Sequence, residues 1–118
     1  MLIMNAEEYI DIAIRRGERL GLNSLAPLER KVFLISEAEV LCDMEGIDSL
    51  INRYGINELE ECAEAFQSVG ANEIATKLKA SIRPESLSDG LLNELGSLIS
   101  SRAGYSYESI LQYVKERI

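Results

Sequence analysis

The chain has 118 residues, 47% of them hydrophobic, with 12 lysines and arginines against 20 aspartates and glutamates and a formal net charge of −8. That length makes one domain, and the apolar share is enough for a core, which excludes global disorder. The charge argues against direct binding of DNA or RNA, whose phosphates require clustered cations. The absence of histidine removes the commonest general base, the usual catalytic triads and most zinc and iron sites.

The N-terminal Met1-Leu2-Ile3-Met4 is apolar for only four residues and carries no basic flank, so it does not read as a signal peptide. Asn5 before Ala6-Glu7-Glu8 is an N-cap signature, and Ile10, Ala13 and Ile14 follow at helical spacing up to Gly21. A first helix is expected over 6–20.

Pro27 suits the first position of a second helix, where its missing N–H costs nothing. That helix runs to about Glu45, ahead of Gly46. Its apolar residues, Leu28, Val32, Phe33, Leu34, Ile35, Ala38, Val40, Leu41, Cys42 and Met44, cover most of the circumference. This predicts a central buried helix with a narrow polar stripe at Ser36, Glu39 and Asp43.

A short helix over 47–54 follows, then an amphipathic helix over 57–69 with Leu59, Cys62, Ala63, Phe66 and Val69 on one face and Gly70 as its stop. A fifth helix over 72–82 buries Ile74, Ala75 and Leu78 and ends before Pro84. A sixth over 87–101 carries Leu91, Leu92, Leu95, Leu98 and Ile99. The last, over 106–117, begins at Ser106 and buries Tyr107, Ile110, Leu111 and Val114. Tyr105, Tyr107 and Tyr113 read as core or rim of this last helix. The expected fold is all-α, a compact array of six to seven short helices forming a single acidic domain over 1–118.

Cys42 and Cys62 sit in apolar helical patterns, without metal-ligand spacing, and read as buried hydrophobes in a reduced compartment. No stretch approaches the roughly 18 apolar residues of a membrane span. A soluble, cytoplasmic protein with no membrane contact and no cofactor is expected.

The negative charge is regional. Residues 37–64 hold nine acids (Glu37, Glu39, Asp43, Glu45, Asp48, Glu58, Glu60, Glu61 and Glu64) and one base, Arg53, while the rest of the chain balances to zero. Glu58, Glu60 and Glu61 fall in the first turn of the fourth helix, where the dipole favours carboxylates by roughly 0.3–1 kcal/mol each. Asp43 and Glu45 fall in the last turn of the second, where a cation is preferred, and Glu39 and Asp43 form a like-charged i,i+4 pair. Local helix stability does not explain these acids. A partner within the fold such as Arg53, a basic protein surface, or a divalent cation would. The calcium-loop pattern fails: counted from Asp43, the positions that need glycine and glutamate hold Asp48 and Tyr54. Without histidine there is no di-iron carboxylate set either, so no metal is expected. No nucleophile elbow, phosphate loop or dinucleotide fingerprint occurs, and an enzyme is not expected.

Glu39-Val40, Gly46, Asn52-Arg53-Tyr54-Gly55 and the run Glu64-Ala65-Phe66-Gln67-Ser68-Val69-Gly70-Ala71-Asn72-Glu73-Ile74-Ala75 together form a pattern over 39–79. It resembles the domain of the DNA-mimic protein family. Members of that family carry Glu-Val, a two-glycine turn, an Asn ahead of a Gly, and a Gly-Ala helix junction. At the turn this chain has Cys42-Asp43-Met44-Glu45-Gly46-Ile47, with one glycine. The resemblance implies an acidic all-helical domain that presents carboxylates in place of DNA phosphates to a DNA-binding protein such as a transcription factor. The expected partner-binding residues are Glu37, Glu39, Asp43, Glu45, Asp48, Glu60, Glu61 and Glu64. The alternative expectation is a helical module that works through an apolar surface, on helices six and seven, or through self-association as a homodimer.

Overall fold

Asn5 opens the first helix as its side-chain carbonyl accepts from the Glu8 backbone N–H at 2.8 Å, satisfying one of the orphan donors of a helix start. In the computed structural model, which describes residues 4–118, the chain then forms α1 (Ala6–Leu20), a short 3-10 turn (Leu22–Ser24), α2 (Pro27–Met44), α3 (Ile47–Arg53), α4 (Ile56–Ser68), α5 (Asn72–Ser81), α6 (Asp89–Ser100) and α7 (Tyr107–Lys115). Among the described residues there is no strand, and the all-α expectation is met with seven α-helices. The apolar Met1–Ile3 start lies outside the described residues.

α2 occupies the middle and packs against α1, α3, α4 and α6, while α7 lies on α1 and α5 bridges α4 and α6. Leu34, Ile35, Leu50, Phe66, Ile74, Leu78, Leu95, Ile99 and Val114 are fully enclosed. Removing side chains of this size from water stabilises the fold by about 1.5–3 kcal/mol each. Phe66 meets Tyr105 edge to face, with ring centroids 5.5 Å apart at 72°.

Two close approaches depend on glycine. A Cβ on Gly17 of α1 would lie 2.3 Å from the buried Phe33 ring of α2, so the two helices meet as closely as they do only because that atom is missing. Gly70 and Gly104, both with positive φ (96° and 85°), end the turns after α4 and α6, and a Cβ on either would lie 3.5 Å from the other's carbonyl oxygen, so the two connections run close together.

The sequence reading is corrected at three places. Val40 and Met44 are exposed, 46% and 79%, so α2 is not buried all round. Tyr107, expected to be buried, is half exposed at the first position of α7, and Tyr105 lies in the turn ahead of that helix, where it is buried. α6 starts at Asp89, two residues later than expected, because Ser88 is the residue whose hydroxyl accepts from Leu91 N–H. Ser86 donates back to the Ala80 carbonyl and closes the turn after α5.

Candidate functional site

The eight carboxylates expected to bind a partner divide into two groups. Four are engaged by arginines. Glu61 accepts from both Nε (2.6 Å) and Nη2 (2.7 Å) of Arg30, a bidentate pair that joins α4 to the start of α2. Glu37 lies 3.7 Å from Arg53 of α3. Arg102, from the turn after α6, reaches Asp43 through Nη2 at 2.9 Å and Glu39 through Nε at 3.6 Å. Glu39 also accepts the hydroxyl of Tyr105.

These contacts account for the acids that helix physics left unexplained. Asp43 stands at the negative end of the α2 dipole, yet the Arg102 guanidinium beside it holds its carboxyl below the usual range. Arg53, the internal partner suggested by sequence, serves Glu37 instead. Burial raises the Tyr105 phenol far above its ordinary value, and the hydrogen bond to Glu39 raises it further.

The other four, Glu45, Asp48, Glu60 and Glu64, are exposed, and no cation among the described residues lies within ion-pair distance of them. They do not share one depression. Glu45 lines a shallow hollow with Leu41, Ser49, Asn52 and Arg53. Asp48 lines another between α3 and α6, with Asn93, Ser97 and Ser100. Glu60 and Glu64, one helical turn apart on α4, face Lys79 and Arg83 across a third.

Sequence reasoning missed the apolar residues inside this acidic segment. Val40 and Met44 are i,i+4 neighbours and form one ridge on the outer side of α2. Helical geometry places Asp43 on one flank of that ridge and Glu37 on the other. Ser36 is one turn further back on the same line, and this spacing of a serine with Val40 and Met44 was the sequence signal that the ridge faces water.

The two cysteines are free and buried, as expected. Burial pushes the Cys42 thiol up to about 11, and it raises that of Cys62 further. Neither is a reactive thiolate at neutral pH. No group of three or more Cys, Asp and Glu side chains among the described residues is arranged to hold a metal ion. No helix of the described residues is long and apolar enough to cross a membrane. Compared with protein-family models, curated proteins and solved structures, the chain matches none.

Proposed function

We propose that this chain is a non-catalytic acidic interaction module that receives a basic, amphipathic segment of a partner protein on the outer side of α2 and α3. In this reading Val40 and Met44 seat an apolar side chain of the partner, and Glu45 and Asp48, unpaired among the described residues, attract the cations around it. The observation that carries the reading is the Met44 side chain, 79% exposed within the one segment that holds the net charge of the molecule. An exposed apolar anchor with a charged rim is the usual energetic plan of a protein interface, and charge complementarity at the rim speeds encounter. Competition with DNA for a DNA-binding partner is the stronger form of the proposal. It draws on the resemblance over 39–79 and on the regional charge, and it uses fewer free carboxylates than sequence suggested, because Glu37, Glu39, Asp43 and Glu61 already face arginines.

The experiment is affinity capture from the host lysate with wild type, Met44→Ser and Glu45→Lys/Asp48→Lys proteins, at low and high salt. A specific partner is expected with wild type, weakened by either variant and by salt. Release of that partner by duplex DNA establishes the DNA-mimic form. A partner retained by all three proteins at all salts overturns the placement on α2 and α3. A homodimer insensitive to salt in light scattering supports the self-association alternative.

A further inference from the structure

Lys31 of α2, Ser68 at the end of α4, and Tyr113 of α7 with Arg117 one turn beyond it come from three parts of the chain and meet on one patch of the surface. Lys31 Nζ donates to Ser68 Oγ at 3.1 Å and to the Tyr113 hydroxyl at 3.0 Å. An ammonium has three hydrogens, so one remains. Arg117 lies on the face of the same ring, its Cζ 3.5 Å from the centroid, while its Nη1 donates to the Tyr113 carbonyl at 3.0 Å. Neither cation has a carboxylate within ion-pair distance among the described residues.

In a chain of net charge −8, two positive groups thus converge on one phenol without a counter-charge. Burial raises the Tyr113 phenol, but the neighbouring Ser68 hydroxyl, the hydrogen bond from Lys31 and the charges of Lys31 and Arg117 outweigh it and leave the group below its ordinary value. The C-terminal ends of α4 and α7 each favour a nearby cation. That explains one positive group at each end but not why both serve the same tyrosine.

We infer that Lys31, Ser68, Tyr113 and Arg117 form a binding site for a small tetrahedral oxyanion of the phosphate type. Lys31 donates its remaining hydrogen, the Tyr113 hydroxyl donates its own, and Arg117 supplies the second charge. Ser68 keeps the ammonium in place from the third element. The site is independent of the α2–α3 face and stands or falls separately from the function proposed for it.

The test is titration of the protein with inorganic phosphate at constant ionic strength, followed by amide chemical shifts. Saturable shifts around Ser68, Tyr113 and Arg117 are expected. Lys31→Met should weaken binding by about tenfold or more, the loss of a charge-assisted hydrogen bond, and Lys31→Arg should restore part of it. Arg19→Gln, which removes an α1 cation without an ion pair, should change nothing. If Lys31→Met fails to fold, Arg117→Gln makes the same comparison from an exposed side chain. A parallel titration with glycerol phosphate distinguishes an esterified ligand, bound more tightly than inorganic phosphate, from the free ion. Shifts that grow linearly without saturation, or equal affinity in wild type and Arg117→Gln, would mean that the cations only support the helix ends, and the inference would be overturned.

Discussion

Arg102 has a φ of 53°, a conformation that residues with a Cβ seldom adopt. It is held there by three contacts of one guanidinium: Asp43, Glu39 and the Ser100 carbonyl, the last at 2.6 Å. Its removal leaves Glu39 and Asp43 one turn apart with no cation between them. Arg102→Gln is therefore expected to lower Tm, and the loss should shrink at high salt because the repulsion it exposes is screened. Equal melting of the two proteins at low salt would show that the arginine does not neutralise this pair. Tyr105 acts on the same glutamate from the buried side. Tyr105→Phe should cost about 1.5–3 kcal/mol in urea unfolding, the range for a hydrogen bond to a charged group. The sign of the pH dependence follows from the raised groups. Tyr105, Cys42 and Cys62 all have folded values above their unfolded ones, with Cys42 at about 11. Their contribution to stability is complete below the unfolded thiol value of about 8.5 and is lost as pH rises towards the folded values. The urea midpoint should therefore fall steadily from about pH 9 to pH 11, and Tyr105→Phe, less stable at neutrality, should fall less steeply above pH 10. A midpoint constant over this range would contradict the burial of all three groups.

At the level of the helices, Gly17 separates two effects that usually act together. Alanine has the better helix propensity by about 1 kcal/mol, which alone would stabilise α1. The Cβ would, however, meet the Phe33 ring at 2.3 Å, and the ring is buried. Overpacking of this kind costs about 1–3 kcal/mol, so Gly17→Ala is expected to destabilise on balance, and an increase in its urea midpoint would refute the close α1–α2 contact. The helices themselves were readable because their boundary signals are local: Asn5, Pro27, Gly46, Gly70 and Ser106 each act within a turn of where they stand. The interhelical pairs were not readable, since Arg102 with Asp43 and Arg30 with Glu61 join residues 59 and 31 positions apart. Glu29 was hidden by the corner itself, which folds Arg16 back onto it from 13 positions away. It is 6% exposed, accepts from Arg16 and from the Ala26 N–H, and fixes the corner between α1 and α2. Val40 and Met44 were misread for another reason. Composition makes α2 apolar nearly all round, but a helix with neighbours on only part of its circumference leaves the remaining ridge in water, whatever that ridge is made of.

The whole molecule is elongated, 51 × 27 × 23 Å, and its charge is uneven along the chain. The arginines that neutralise part of the acidic segment come mainly from outside it, Arg30 from the start of α2 and Arg102 from the turn after α6, so some of the sequence asymmetry disappears on folding. What persists is the exposed set Glu45, Asp48, Glu60 and Glu64. The two groups of acids should therefore respond oppositely to mutation. Glu61 supports the fold through a part-buried bidentate pair, and Glu61→Gln is expected to cost about 1–3 kcal/mol by leaving Arg30 without its acceptor. Glu45→Lys/Asp48→Lys changes the net charge by four, yet touches no ion pair, and since a cation is favoured at the end of α2 and disfavoured in the first turn of α3 the two dipole effects oppose, so stability should move by no more than about 0.5 kcal/mol in sum. Chemical denaturation of both variants checks the division. If the double reversal were as destabilising as Glu61→Gln, Glu45 and Asp48 would be structural carboxylates, and the anionic surface available to a partner would shrink to Glu60 and Glu64, beside two cations of α5 and the turn after it.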